Sequence, residues 1–576
     1  MKLIEKIRGQ FSGLGDSFLR FPVTAILSFI LMGLLIVQNE RNIQGIYETE
    51  TLRRLAMVTA IGMLLSISLK HLQERFWPDK PALLITALPA LAVMALYYLF
   101  YTEEMNMISA VRFVGTLLIL IIAVFYTLKL KHKENYEHYV VRVFNGLFIT
   151  ILYSGVLYFG IAAIIFTINA LFDAEIEGKW FFYFFLMVTF VFGALMFLSK
   201  LPRKEETFED HLYSKALKVL LLYIVIPLIT IYTGILYVYF IKILVTQEWP
   251  RGLVSNLVLW YSVVSAAVIF FITPILHENQ VARLFRTWFP RILLPILAMM
   301  FVSIGKRISQ YGVTENRYLV VLLGIWVLVA MLYFIIRKEL DNIFLPVSLS
   351  VFALIAIFGP LSAFSVSDFS QNQRFTALLE KNNMLSAGEV VPGSNVSEED
   401  RKNISSIVSY YESRDMDKIK YLDDDFDYTD FEPTFGFQRE DYYGSPDMEY
   451  INLFTDQNES ASEVAGFDYL FTLNNYTKSV TFKEIKVELA DMTSLKITLK
   501  DELILEEELG DEILAIVEEH QGQMEKGMLT QEDAIILLEN EKISVKVMLL
   551  ELSARRETGN DLRYDHLRIS LLIDLK

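Results

Sequence analysis

The 576-residue chain has no cysteine, which rules out disulfides, thiolate metal sites and cysteine nucleophiles together. A large non-cytoplasmic domain without disulfides fits a bacterial envelope. Charge is also scarce, at 21% Asp, Glu, Lys and Arg, below the ~25% of soluble globular chains. The shortage lies in one half. Residues 1–366 carry 31 Lys and Arg against 23 Asp and Glu, whereas residues 367–576 carry 21 against 45. Net charge therefore swings from +8 to −24, and so sharp a change marks a domain boundary. Net acidity argues against a nucleic-acid partner, since phosphate binding needs clustered Lys and Arg.

Catalytic signatures are missing too. The chain has no GxSxG, Walker A, GxGxxG or HExxH motif. Its seven histidines, His71, His132, His138, His211, His277, His520 and His566, show no zinc spacing. No metal and no cofactor is expected. The apolar runs hold almost no central carboxylates, so no proton relay is marked.

What the chain has is long hydrophobic stretches. About 20 apolar residues at 1.5 Å rise cross a bilayer, and qualifying runs centre on 21–37, 55–69, 82–100, 108–127, 146–170, 180–199, 217–244, 253–276, 292–305, 318–336 and 343–365. The runs 55–69 and 292–305 are short. The pattern predicts a polytopic α-helical membrane protein of about eleven transmembrane helices, residues 21–366, whose principal partner is the lipid bilayer. Before it, Ile4, Ile7, Phe11, Leu14 and Phe18 recur at helical spacing beside Lys2, Lys6 and Arg8. Residues 1–20 thus read as an interfacial amphipathic segment, helical over 2–18. No small-x-small cleavage site follows the first run, so a cleaved signal peptide is not expected. Prolines Pro89, Pro227, Pro274, Pro295 and Pro346 fall in or near spans, where membrane helices tolerate them as kinks.

Loop cations set the orientation. Of 28 Lys and Arg counted in the loops, 20 fall on the N-terminal side. The N-terminus is therefore expected in the cytoplasm, in a bacterial cytoplasmic (inner) membrane, and an odd span count puts the acidic C-terminal region outside. Trp77, Trp180, Trp249 and Trp288 sit at span edges, as interfacial anchors do.

After Pro360 the chain turns polar. Residues 367–415 read as a helical stem: a short helix over Gln371–Lys381, then a second helix opened by the capping box Ser397-Glu-Glu-Asp400 and continued through Ile404, Ile407 and Tyr411. Residues 416–576 read as an acidic, soluble, extracytoplasmic α+β domain. A long irregular loop is expected over 415–465. Alternation predicts strands at 485–489, 495–499, 543–549 and 567–575. Leu509, Ile513, Ile516 and Val517 predict a helix, and Thr530-Gln-Glu-Asp533 a cap for another short one. Separate runs of strands and helices point to a largely antiparallel sheet.

Aspartates Asp423, Asp424, Asp425, Asp427 and Asp430 invite a calcium reading. The EF-hand template fails, because its sixth position is Tyr428 rather than Gly and its twelfth is Thr434 rather than Glu. A solvated acidic loop is the better reading.

One cluster stands out on the predicted outer face. It combines Trp249 and Arg251 of Glu248-Trp-Pro-Arg-Gly252, then Arg307, then Tyr311, Thr314, Glu315, Arg317 and Tyr318 of Tyr311-Gly-Val-Thr-Glu-Asn-Arg-Tyr318, and Arg374 after Gly359-Pro360. Arg251, Arg307 and Arg317 run against the orientation rule. Guanidinium forks beside aromatics can hold an anionic headgroup or a carboxylate. Equally, Tyr311-Gly312 reads as a tight turn, Thr314 as a helix cap, and the arginines as partners of acidic tail residues.

These same motifs, with Arg20-Phe21-Pro22 before the first span and Ser370-Gln371, resemble bacterial membrane proteins carrying the domain of unknown function 4153 (DUF4153). The resemblance covers residues 1 to roughly 415. It implies the topology and a bacterial envelope setting, and no reaction.

Three functions compete. A non-enzymatic sensor, scaffold or binding protein, engaging an extracytoplasmic protein or an anionic lipid, accounts for the large tail and the missing motifs. A transporter or lipid translocase accounts better for eleven spans, although no inverted repeat is visible. A polytopic glycosyl or lipid transferase needs a carboxylate in an early outer loop, where Glu48, Glu50, Glu103 and Glu104 are the candidates.

Overall fold

Pro22 stands at the first helical position of the first span, where its missing N–H costs nothing and its fixed φ suits the helix. In the computed structural model the described residues are 14–576, excepting 45–49, 104, 132, 173, 175, 205, 207–214, 247–252, 394, 413, 415–418, 424–425, 427–429, 440–447, 456–463, 476, 491, 501, 521–527, 531–532 and 558–561. Most of the predicted interfacial helix lies outside them; residues 14–20 are helical.

Among the described residues, ten helices are long and apolar enough to cross a membrane. They are α1 Pro22–Ile43, α2 Glu50–Phe76, α3 Ala82–Tyr101, α4 Met107–Val124, α5 Tyr136–Phe172, α6 Lys179–Lys200, α7 Leu217–Thr246, α8 Leu253–Ile272, α9 Gln280–Tyr311 and α10 Glu315–Ile336. The shorter apolar α11, Phe344–Ile357, takes the eleventh place. The two short runs belong to helices of 27 and 32 residues whose charged ends hide their length. Large apolar side chains face outward along α5: Phe148, Phe159 and Phe166 are each about two-thirds exposed. No water-soluble surface sustains that, so these faces are lipid-facing. The chain is an integral membrane protein.

Two spans contain a turn of π-helix, Val188–Gly193 in α6 and Leu220–Val225 in α7. A π turn loosens the backbone ladder and frees a carbonyl. In α6 the Phe190 carbonyl accepts the Ser28 hydroxyl of α1.

The predicted span 343–365 is broken in two. The backbone becomes extended at Phe358, Gly359 takes φ +78°, and Ser362 accepts from the Ser365 N–H to open α12, Ala363–Lys381. The short helix expected at 371–381 is therefore the second half of a 19-residue helix. A two-residue hairpin, β1 Leu385–Ser386 with β2 Glu389–Val390, leads to α13, Glu398–Glu412. Ser397 caps α13 through the Asp400 N–H at 3.2 Å, as its sequence predicts.

The chain divides into two compact units, Met1–Gln438 and Arg439–Lys576. The division falls beyond residue 415 because the short helix α14, Phe431–Phe435, belongs to the stem. Phe431, Phe435 and Phe437 share a buried core with Phe375, Leu379, Ile404 and Ile407. The region expected as loop thus holds a helix, and also the strand β3, Met448–Thr455.

The second unit has two sheets. Strands β11 (Ile543–Glu557) and β12 (Leu562–Leu575) form a long antiparallel hairpin. The other edge of β11 is shared by β10 (Ile535–Glu539) and β3, and β12 pairs β4 (Tyr469–Asn474). A short β9, Met528–Leu529, pairs β3 in parallel. The second sheet runs β5 (Ser479–Phe482), β6 (Ile485–Ala490), β7 (Ser494–Leu499), β8 (Glu502–Glu508). Their inward faces join one core with Leu509, Ile513 and Val517 around helix α15, Gly510–His520. Thr530 does not open a helix. Its hydroxyl caps a turn at Asp533, and the chain enters β10.

Candidate functional site

The last carbonyls of a helix lack intrahelical donors and sit at the negative end of its dipole. Helix α9 ends this way at Tyr311, followed by Gly312 at φ +70°. Three side chains converge on the Tyr311 carbonyl: Arg317 Nη1 at 3.2 Å, Gln371 Nε2 at 3.1 Å and Arg374 Nη1 at 3.3 Å. Arg317 also donates to the Gly312 carbonyl and Gln371 to that of Val313, at 2.9 and 2.8 Å. The Val313 N–H donates to Ser370 Oγ at 2.9 Å. Two cations and an amide therefore bind a helix terminus that would otherwise be unsatisfied.

Glu315 fastens the other side of the turn. Its carboxylate accepts from the Tyr410 phenol at 2.6 Å and faces Arg414 Nε at 3.3 Å, with the Arg414 guanidinium over the Tyr410 ring at 4.1 Å. Tyr411 donates to Asp368 Oδ1 at 2.9 Å. Burial pushes both phenols above the ordinary tyrosine range, and the neighbouring carboxylates Glu315 and Asp368 add to it. They stay protonated donors at neutral pH. Tyr318 donates to the Leu361 carbonyl, and Arg374 to Asn403 of α13.

Of the residues singled out by sequence, Tyr311, Glu315, Arg317, Tyr318 and Arg374 come together around one turn. Arg307 lies one helical turn earlier and is partly buried. Thr314 occupies the N-cap position of α10, but its hydroxyl makes no capping hydrogen bond. Trp249 and Arg251 lie outside the described residues. The charge pair between bundle and stem runs opposite to expectation, from stem Arg414 to bundle Glu315.

A second polar assembly sits where three chain segments end. Arg20 makes a two-pronged pair with Glu74, Nε to Oε1 at 2.9 Å and Nη2 to Oε2 at 2.8 Å. It also donates to the Leu201 and Pro202 carbonyls, each at 2.9 Å. These contacts shape a cavity of about 620 Å³ whose charged lining is Asp16, Arg20, Lys70, Glu74, Arg203 and Lys204. Composition does not reveal this pair; the available signal is that Glu74 is the sole acidic residue between positions 51 and 78. Elsewhere in the bundle, buried Asn342 donates to Glu137 Oε1 at 2.6 Å and to Thr273 Oγ1 at 2.9 Å.

The family described as "Domain of unknown function (DUF4153)" matches residues 22–388. That stretch includes Glu315, Arg317 and Arg374 and stops before α13. A protein of Pasteurella multocida (strain Pm70), described as uncharacterised, is 24% identical over 223 residues, 38% of each chain. The match thus spans well under half of that relative. No solved structure matches the chain.

Proposed function

The chain belongs to the DUF4153 family, and we propose that it is a non-enzymatic sensor, scaffold or binding protein of a bacterial cytoplasmic membrane, its N-terminus cytoplasmic and its acidic C-terminal unit extracytoplasmic. The observation that carries this reading is the joint at Tyr311–Glu315. Its charged and aromatic groups are committed to holding α12 and α13 on the bundle, and a fixed stem suits a protein that presents a domain. The partner in this reading is an extracytoplasmic protein or an anionic lipid.

The orientation needs an odd number of crossings, so α11 must cross. At 14 residues it is about 21 Å long, against roughly 30 Å of hydrocarbon. Its flanks support a crossing. At one end Asn342 bonds Glu137, near the start of α5, and Tyr139 of α5 donates to the Val124 carbonyl at the end of α4. At the other end the Ile357 carbonyl accepts from Arg112, near the start of α4. Helix α11 therefore runs antiparallel to α4 between the levels of its two ends, which supports a crossing.

A transporter or lipid translocase is the second reading, favoured by the π turns in successive spans α6 and α7, a feature common at functional sites. Spin labels at Ser309→Cys and Glu399→Cys separate the two; the cysteine-free chain makes the labelling specific. One narrow distance distribution in lipid is the result expected of a fixed stem. Two interconverting populations would favour the translocase.

A further inference from the structure

We propose that the cavity bounded by Arg20, Lys70, Arg203 and Lys204 binds a phosphate-bearing anion, and that in the membrane this is the headgroup of an anionic phospholipid. Four cations line it against two carboxylates, Asp16 and Glu74. Glu74 is already engaged, by both prongs of Arg20 and by Lys70 at 3.5 Å. Arg20 in turn is held by the Leu201 and Pro202 carbonyls. It is a positioning residue: it ties the segment after α6 to the ends of α1 and α2. That places Arg203 and Lys204, both exposed, on the cavity wall. Among the described lining residues the excess positive charge is theirs, and guanidinium and ammonium donors together suit a phosphate.

The surroundings point to a lipid source. The wall is built from residues next to the start of α1, the end of α2 and the end of α6, and the ends of spans lie at headgroup level. Its rim carries exposed Leu19 and, beside lining residue Pro78, half-exposed Trp77. Apolar and tryptophan side chains at that level anchor in the interface. Basic pockets between spans on the positively charged side are a known lipid-binding chemistry. The site is independent of the stem joint.

The test uses the purified full-length protein in neutral detergent, titrated with phosphatidylglycerol, with phosphatidylcholine and separately with inorganic phosphate. Bound lipid is counted by native mass spectrometry. Phosphatidylglycerol should bind in preference to phosphatidylcholine, and Arg203→Ala/Lys204→Ala should weaken it about tenfold. Asp16→Asn, which removes a repelling charge, should tighten it, so a gain of binding guards against a variant that merely misfolds. Displacement of the lipid by inorganic phosphate at comparable concentration would overturn the lipid source and leave a soluble phosphate as ligand. Equal binding by wild type, the double variant and Asp16→Asn would overturn the site.

Discussion

The Tyr410 phenol donates to the Glu315 carboxylate at 2.6 Å across 95 residues of sequence, and Arg414 meets the other carboxylate oxygen at 3.3 Å. One carboxylate at the start of α10 thus joins the bundle to the stem helix α13 from two sides. Glu315→Ala breaks both contacts at once and leaves a partly buried guanidinium and a partly buried phenol. The expected loss is about 1–3 kcal/mol of local stability. Protease should cut the 367–415 segment faster while the spans stay folded. An unchanged cleavage rate would show that the pair does not hold the stem.

Gly312→Ala tests the turn itself. The residue has φ +70°, and an added Cβ would lie 2.9 Å from Gln371 Nε2. Strain and crowding together should cost roughly 1–3 kcal/mol. Gln371→Ala gives up the bonds to the Tyr311 and Val313 carbonyls but opens room for the new methyl. The double variant should therefore be less destabilised than the two single effects summed. Strict additivity, read from amide exchange of α12, would separate the turn from the stem.

The parts of this joint differ in how far sequence reveals them. Gly312, Arg317 and Arg374 are visible because cations and a turn stand where the orientation expected from sequence disfavours cations. Tyr410 and Arg414 are not, because a side chain bound to a distant carboxylate leaves no local pattern. The spans are legible from hydropathy alone, down to α11. The break at Phe358 is not legible from hydropathy, since apolar residues continue on both sides of Gly359-Pro360; the helix ends where Phe358 becomes extended and Gly359 takes a positive φ. Strands β6, β7, β11 and β12 show by alternation. Strand β8 does not: three apolar residues in a row, Leu503, Ile504 and Leu505, are followed by Glu506, Glu507 and Glu508, so it has no period of two.

Low pH should loosen α13 at its start. Burial alone would raise the Asp400 carboxyl, but bonds from Lys381, Asn382 and Ser397 outweigh it and hold it below the usual range. A depressed folded value means stability present above the unfolded value, about 3.9, and lost as pH falls through the folded one. Amide exchange across Glu398–Glu412, corrected for its intrinsic pH dependence, should report that loss in wild type. Asp400→Asn should flatten it. An Asp400→Asn profile identical to wild type would contradict the assignment.

In the second unit, Leu571 is fully buried between the sheets and Leu537 is 74% exposed on β10. Leu571→Ala should destabilise that unit by about 2–5 kcal/mol, and Leu537→Ala by no more than about 0.5 kcal/mol. Thermal unfolding of the full-length protein, followed by its sheet circular dichroism, distinguishes them. Equal effects would contradict the strand register that turns Leu571 inward.

The proposed outward placement of the acidic unit rests on α11 crossing the membrane, and alkaline phosphatase fusions measure it most directly. The enzyme is active only outside the cytoplasm. Fused after Lys576 it should be active, and fused after Lys133 inactive. Inactivity at both positions would mean that α11 turns back within the membrane and the acidic unit is cytoplasmic; activity after Lys133 with silence after Lys576 would invert the topology altogether.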